Sequence, residues 1–164
     1  MTAIINATLV MKDHLIPEAV LLIEDGKIAD FGEMRKLPVP QGCDVIDAKG
    51  LYVGPGLVDI HTHAGGPYWF YEDPIKAAQH NLAHGTTTVL ATLYFSMTKD
   101  ELVKNTALIQ DAMKQPEGAN IGGFYMEAPY MNPKFGADRE NNPWKGPVSD
   151  CRDVQLEKAF LPIC

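Results

Sequence analysis

From residue 54 onwards the sequence alternates between short apolar stretches and longer stretches with helical spacing, and this alternation constrains the fold more than any other feature. The stretches LVDIHTH, TTTVLATL and ANIGGFYMEAPY are typical of buried strands. Between them, DPIKAAQHNLAHG and SMTKDELVKNTALIQDAMKQ repeat apolar residues at helical intervals. Strands and helices in this order are typical of right-handed crossovers between parallel strands. We therefore expect an α/β fold with a parallel sheet.

The first third of the chain has a different pattern, because no helical spacing occurs before residue 70. Its stretches AIINATLVM, AVLLIEDGKIADFG and CDVIDAKGLYV are typical of strands. Within EDGK, the pair Asp25-Gly26 tolerates the positive φ angles that a two-residue hairpin turn requires. A small β unit is therefore expected ahead of the α/β part.

Composition limits the classes of partner. The formal net charge of −7 at pH 7 leaves no basic surface for nucleic acid. No apolar run approaches the roughly 20 residues that span a bilayer, and the opening MTAIINATLVMKDH lacks the marks of a signal peptide. Cys43, Cys151 and Cys164 form no CxxC pair, so neither a disulfide framework nor a zinc ribbon is indicated. We expect a cytoplasmic protein that acts on a small molecule.

Four polar residues at the ends of two predicted strands form a candidate metal site. Alternate residues of a strand share a face, so Asp59, His61 and His63 are predicted to point the same way at the carboxyl end of the first parallel strand. Glu127 ends the third strand, where a buried carboxylate needs a cation or a donor. Two histidines and one glutamate leave a position open for water, as in hydrolytic zinc sites. We predict His61, His63 and Glu127 as metal ligands and Asp59 as the residue that orients the imidazoles.

Each part of this pattern has an ordinary structural explanation when taken alone. An HxH sequence occurs at strand ends without any metal, and a single glutamate more often forms an ion pair. His80 and His84 are four residues apart on a predicted helix and form a second possible pair, but one that falls away from the strand ends. The joint placement of the first three residues is what favours a metal.

Two longer motifs carry a family resemblance. GPGLVDIHTHAGG closely resembles the start of amidohydrolase-superfamily enzymes, and GGFYMEAPYMNPKFGA resembles the HLEGP(Y/F)xNPxxxGA segment of N-acetylglucosamine-6-phosphate deacetylases. With HGTTTVLAT, the resemblance spans essentially the whole chain. It implies a (β/α)8 barrel with a small β-sandwich built from both chain termini. It also implies a divalent metal, zinc first with iron or another divalent ion as alternatives, and hydrolysis of an acetamido group to acetate and an amine.

The resemblance also assigns parts of the chain. Residues 1–53 would be a β-sandwich segment, and residues 54–164 the first three βα units of an incomplete barrel. His61 and His63 match the HxH ligands, and Glu127 matches the metal-binding glutamate of the family. Asp138 stands where deacetylases commonly have a histidine that contacts the sugar, which makes it a candidate substrate-binding residue. The catalytic aspartate, which acts as general base, and two later metal-binding histidines are expected beyond residue 164.

Two alternatives remain open at this stage. One is a non-catalytic fragment that associates with itself or with a partner carrying the other half of the barrel, because a partial barrel has an unpaired strand edge. The other keeps the superfamily and changes the substrate to a cyclic amide or a nucleobase.

Overall fold

The computed structural model describes residues 1–127, 140 and 143–146, together with the backbone of residues 159–160. The chain forms two compact units, Met1–Pro55 and a second unit that begins at Gly56. Each unit has its own sheet and its own buried residues.

The first unit is a single five-stranded sheet in the described residues. Its strands are β1 (Thr2–Val10), β2 (Leu15–Glu24), β3 (Lys27–Glu33), β4 (Asp44–Asp47) and β5 (Tyr52–Val53). The order is β3-β2-β1-β4, with β5 also paired to β1. Asp25 and Gly26 have φ angles of 50° and 72° between the paired residues Glu24 and Lys27, which confirms the predicted hairpin. A second sheet facing this one is not found among the described residues, so the β-sandwich stays a prediction.

The second unit is built on a parallel sheet with the order β11-β10-β9-β6. Its elements are β6 (Leu57–Thr62), a short hairpin of β7 (Ala64–Gly65) and β8 (Tyr68–Trp69), α1 (Pro74–Ala83), β9 (Thr86–Leu93), α2 (Lys99–Met113), β10 (Ile121–Met126) and β11 (Ala159–Phe160). This arrangement confirms the predicted α/β class and the parallel pairing of the three strands. Closure of the sheet into a barrel stays a prediction.

Both helices start at capping residues that the sequence supplies. The Asp73 side chain accepts a hydrogen bond from the backbone N–H of Lys76, and Pro74 occupies the first turn of α1. At α2, Thr98 and Glu101 form a reciprocal capping box. These caps fix where each helix begins: α1 at Pro74, shortly after β8, and α2 at Lys99, shortly after β9. Short loops therefore join the strand ends to the helices.

The core of the second unit lies between its sheet and its helices. Val89 and Phe124 of the central strands and Ile109 of α2 are fully buried in one cluster. Ala77 and Ala78 of α1 belong to the same cluster, and their small side chains allow the helix to approach the sheet closely. In the described residues, no helix is both long enough and apolar enough to cross a membrane.

Candidate metal centre

The two histidines of the HxH motif lie at the carboxyl end of β6. His61 is in the strand and His63 follows its last residue. Their rings are 5.3 Å apart between centroids and nearly perpendicular, with an interplanar angle of 80°. The two side chains are therefore close enough to act on one small ligand.

Glu127 reaches the same point from another strand. It follows β10 directly, and its backbone N–H donates to the carbonyl of Leu93 at 3.3 Å. Its Oε1 lies 4.0 Å from Nε2 of His61, and its Oε2 lies 3.9 Å from Nε2 of His63. One ligand atom from each of the three residues falls within 4.8 Å of the others. The structure thus brings together the three residues that the sequence predicts as metal ligands.

The donor set fits a divalent ion. Distances of 3.9 and 4.0 Å are too long for hydrogen bonds between the carboxylate and the rings. Two ligands of one tetrahedral zinc are separated by about 3.4 Å, given bonds near 2.1 Å. Oε2 of Glu127 is buried and has no hydrogen-bond partner among the described residues. A buried carboxylate oxygen without a donor is costly, and a cation between it and the imidazoles would remove that cost.

The ring of His63 is oriented by a backbone carbonyl. Its Nδ1 lies 3.3 Å from the oxygen of Thr92, which can only accept, so this contact requires the proton on Nδ1. In the neutral ring, this tautomer leaves the lone pair on Nε2, the atom that lies 3.9 Å from Oε2 of Glu127. The edge of the ring also packs on Tyr94, with centroids 5.1 Å apart. No side-chain pattern could have predicted the Thr92 contact, because the acceptor belongs to the backbone.

Asp59 does not contact the imidazoles in the way the sequence predicts. Its carboxylate accepts the backbone N–H of His61 at 3.0 Å, since a carboxylate two residues earlier in the strand reaches the backbone more readily than the ring. The His61 ring packs instead on Tyr125, at a centroid distance of 5.0 Å. Tyr125 shares a strand face with Glu127 in the sequence pattern, and that shared face was the available signal for this contact.

The glycine pair after His63 is pressed against α1. A Cβ at Gly65 would lie 2.0 Å from the backbone oxygen of Ala77, and a Cβ at Gly66 would lie 2.6 Å from the His80 ring. Gly66 also has a φ of 58°, which disfavours other residues. The Asn81 amide donates to the carbonyl of Ala64 at 3.4 Å. The segment that follows the second histidine is thus fixed by the first helix.

Two other sequence expectations have different outcomes. The rings of His80 and His84 lie 4.4 Å apart between centroids. In the part of the chain that the structure describes, no third metal-ligating side chain joins this pair, whereas Glu127 joins His61 and His63. Asp138 lies outside the described residues, so its predicted contact with substrate stays a prediction.

Comparison with proteins of known sequence gives one line of relationship. No family model matches the chain. The dihydroorotase of Lactobacillus johnsonii is 36% identical over 112 residues, which cover 68% of this chain and 24% of that enzyme. The chain therefore spans about a quarter of the length of this curated relative.

Comparison with solved structures gives a second line of relationship. The N-acetylglucosamine-6-phosphate deacetylase of Pasteurella multocida superimposes with a TM-score of 0.74 at 20% identity, covering 92% of this chain and 40% of that one. A D-hydantoinase superimposes with a TM-score of 0.54 at 33% identity, covering 76% of this chain and 26% of that one. The first likeness concerns the fold alone, whereas the second also extends to sequence.

Proposed function

The chain belongs to the amidohydrolase superfamily, and on that premise we propose that His61, His63 and Glu127 hold a divalent metal for the hydrolysis of an amide C–N bond. The buried, unpartnered Oε2 of Glu127 facing the two imidazoles is the observation that carries this proposal. Zinc is the metal we favour, because two imidazoles and one carboxylate are a common zinc ligand set with a position left open.

Each residue has a defined task in this proposal. Both imidazoles bind as neutral donors, and the Thr92 carbonyl holds the proton of His63 on Nδ1 so that Nε2 is available. Glu127 supplies a negative charge from the end of β10, facing the two imidazoles at the end of β6. A bound divalent ion supplies polarisation of the amide carbonyl and activation of a water for attack.

For the substrate we propose first an N-acetyl amino sugar, free or phosphorylated, which would be hydrolysed to the amine and acetate. Support comes from the EAPYMNPKFGA motif and from the fold shared with a deacetylase. A cyclic amide is the second candidate, supported by 36% identity to a dihydroorotase and 33% identity to a D-hydantoinase. Both reactions break an amide C–N bond, so the same metal chemistry serves either.

The finer architecture forms part of the same proposal. We assign residues 1–53 to a β-sandwich segment and residues 54–164 to the first three βα units of a (β/α)8 barrel. The parallel order β10-β9-β6, with a helix after β6 and after β9, supports the barrel assignment.

Self-association or partner binding is the non-catalytic alternative, and the exposure of β6 favours it. In the described residues β6 pairs with β9 alone, and Leu57, Val58 and Ile60 are exposed along it. Such an edge can pair with another chain. Sedimentation of the purified chain tests this: a monomer at every concentration would exclude self-association, and a dimer that Ile60→Lys dissolves would support it.

Metal analysis by mass spectrometry tests the site. We expect up to one equivalent of zinc in the wild-type chain and none in the His61→Ala/His63→Ala double variant. The matched control is His14→Ala/His84→Ala, which removes two exposed histidines that lie outside the cluster. Equal metal in all three proteins would contradict the proposed site.

Activity assays separate the candidate reactions. Release of acetate from N-acetylglucosamine or its 6-phosphate identifies a deacetylase, and ring opening of dihydroorotate or dihydrouracil identifies a cyclic amidase. Because the resemblance places the general base beyond residue 164, we expect no turnover by this chain alone, and the assays use a protein that also carries that base. There the activity should disappear in the His61→Ala/His63→Ala variant and persist in the His14→Ala/His84→Ala control. Zinc binding by such a protein without turnover of any of these compounds would favour the non-catalytic alternative.

A further inference from the structure

A cleft of about 420 Å³ opens between the loop after β6 and the loop after β9. Its volume lies within the usual range for sites that bind small molecules. We call it the aromatic cleft and define it by its main lining residues: Trp69, Tyr71, Tyr94, Ser96, Glu101 and Asn105.

A larger cavity of about 1010 Å³ lies in the first unit. Both basic residues on its wall, Arg35 and Lys36, are already paired with Glu33. Their side chains are also 76% and 66% exposed, so water competes strongly with any ligand there. The smaller cleft is the better candidate because of where it lies.

The aromatic cleft adjoins the metal centre at Tyr94. This residue follows the last residue of β9, lines the cleft, and packs its ring on the edge of His63. Trp69 belongs to β8, in the segment that joins β6 to α1. Both walls thus come from the carboxyl ends of parallel strands, where α/β folds bind their ligands. A substrate whose amide lies at the metal would therefore have Tyr94, a wall of this cleft, beside it.

The walls present ring faces with a few polar groups between them. Trp69 and Tyr94 are 40% and 38% exposed, which is a high exposure for large aromatic side chains. Trp69 also packs at a tilt on Tyr71, with centroids 5.5 Å apart. Burial, and then the charge of Glu72, raise the pKa of Tyr71, so its phenol stays neutral at physiological pH. Neutral aromatic walls of this kind stack on flat, uncharged rings.

The charge of the cleft disfavours an anion. Its one charged lining residue in the described part of the chain is Glu101, and no lysine or arginine lines it there. Hydrogen bonds from the backbone N–H and the hydroxyl of Thr98, each 2.8 Å long, hold the pKa of the Glu101 carboxyl below its ordinary value. The carboxylate is therefore ionised at neutral pH, and a phosphate placed in the cleft would meet its negative charge. Lys104, one turn further along α2, is close enough to lower the same pKa but does not line the cleft.

We propose that the aromatic cleft binds the uncharged ring of the amide substrate and discriminates against a ring that carries a phosphate. The proposal rests on the proposed function, because it places the scissile amide at His61, His63 and Glu127. An amino-sugar ring presents a C–H face and a cyclic-amide ring a nearly planar one, so both offer an apolar face with polar edges that an aromatic side chain can cover. The proposal favours the unphosphorylated form of the first candidate substrate, or an uncharged cyclic amide such as 5,6-dihydrouracil over an anionic one such as dihydroorotate.

The chain has two tryptophans, so a nitrogen-15 NMR spectrum gives two indole N–H signals, and Trp69→Leu identifies the one in the cleft. We titrate with N-acetylglucosamine, 5,6-dihydrouracil and N-acetylglucosamine 6-phosphate, each added alone. At least one uncharged ring should shift the Trp69 signal saturably, with a Kd in the millimolar range expected of a small ligand. N-acetylglucosamine 6-phosphate should bind more weakly than free N-acetylglucosamine, by up to about fivefold, as one like-charge contact in a solvated site predicts. The ring that binds identifies which substrate class the cleft takes.

Glu101→Gln is the matched variant, because glutamine preserves the capping box and removes the charge. The difference between phosphorylated and free sugar should become smaller in this variant. Two results would overturn the proposal: neither uncharged ring shifts the Trp69 signal, or the phosphorylated sugar binds as tightly as the free one in the wild-type chain. A titration of the His61→Ala/His63→Ala variant keeps this test separate from the metal, since cleft binding should survive there even if the metal assignment is wrong.

Discussion

The neighbouring strands β6 and β9 have similar apolar sequences but very different surroundings. They pair in parallel, with Val58 opposite Thr88 and Asp59 opposite Val89. On β9, Val89 is 0% exposed, whereas on β6 Val58 is 65% exposed and Ile60 is 62% exposed. By this pairing Val89 lies on the face that packs on the helices, whereas Val58 shares the other face with Thr88, which is only half-buried. The two valines therefore differ in the face they occupy as well as in strand position, since β9 has a strand on each side and β6 has one neighbour in the described residues.

The candidate ligands are divided between these two environments. His61 and His63 come from the exposed strand, whereas Glu127 follows β10, on the buried side of the sheet. The end of β6 is held by specific contacts and not by burial along its length. His63 contacts Thr92, and the next residues pack on α1. Four predictions test this division, and they are ordered by the size of the expected effect.

Gly65→Ala should have the largest effect, because it attacks the contacts that hold the end of β6. The new Cβ would lie 2.0 Å from the backbone oxygen of Ala77, and helix backbone cannot move aside cheaply. We expect a loss of about 3 kcal/mol in the free energy of unfolding, measured by urea denaturation followed by circular dichroism. Gly32→Ala is the control, since its Cβ would meet no atom within 4 Å. Equal stability of the two variants would mean that the segment after His63 is not fixed by α1.

Zinc should stabilise the second unit by joining the exposed strand to the buried one. A ligand that binds only the folded state adds about 2.7 kcal/mol at a concentration one hundred times its Kd. Both tryptophans lie in this unit, so urea unfolding followed by fluorescence measures its stability directly. The gain should vanish in the His61→Ala/His63→Ala variant and remain in His14→Ala/His84→Ala. A gain of the same size in the first of these variants would show that zinc binds elsewhere.

The sequence predicts well which segments form strands and which residues share a strand face, but it predicts poorly which of those residues are buried. The β-branched run TTTVLATL and the capped helix after it are encoded locally, and both occur where expected, as β9 and α2. The alternation in LVDIHTH likewise places His61 and His63 at one strand end. The outer face of β6, expected to pack on the helices, is instead exposed at Val58 and Ile60, because burial depends on neighbouring elements and not on the strand itself.

The candidate metal site is likewise only partly predictable from the sequence. His61, His63 and Glu127 follow from period-two alternation and from the shared edge of parallel strands. The contact of His63 with the Thr92 carbonyl cannot be predicted in this way, because every residue has a backbone carbonyl. Which carbonyl faces the ring depends on the register between β6 and β9. The sequence also places Asp59 near the histidines without indicating that its carboxylate binds backbone and not a ring.

A pair of valine substitutions measures the difference between the two strands. Val89→Ala should cost about 2 kcal/mol, from the lost burial of two methyl groups and the cavity they leave. Val58→Ala removes the same atoms from an exposed site and should change stability by less than about 0.5 kcal/mol. Tryptophan fluorescence during urea unfolding compares them directly. If Val58→Ala costs as much as Val89→Ala, then β6 is covered in solution, as a self-associating chain would require.

The smallest effect should come from the cap of α2, the helix that follows β9. Thr98→Ala removes the hydroxyl that accepts from the Glu101 backbone N–H, and we expect a loss of about 1 kcal/mol. Glu101 adds a pH dependence, because its pKa is lower in the folded chain than in the unfolded one. Its contribution is complete above the unfolded pKa, near 4.3, and is lost as the pH falls from there through the folded value. Glu101→Gln keeps the capping hydrogen bonds but has no titrating group at this position. The wild-type chain should therefore be more stable than this variant at pH 7. It should lose that advantage as the pH falls from the unfolded pKa of Glu101 through the lower folded pKa. A constant difference between wild type and Glu101→Gln across that range would show that the Thr98 hydrogen bonds do not select the charged carboxylate.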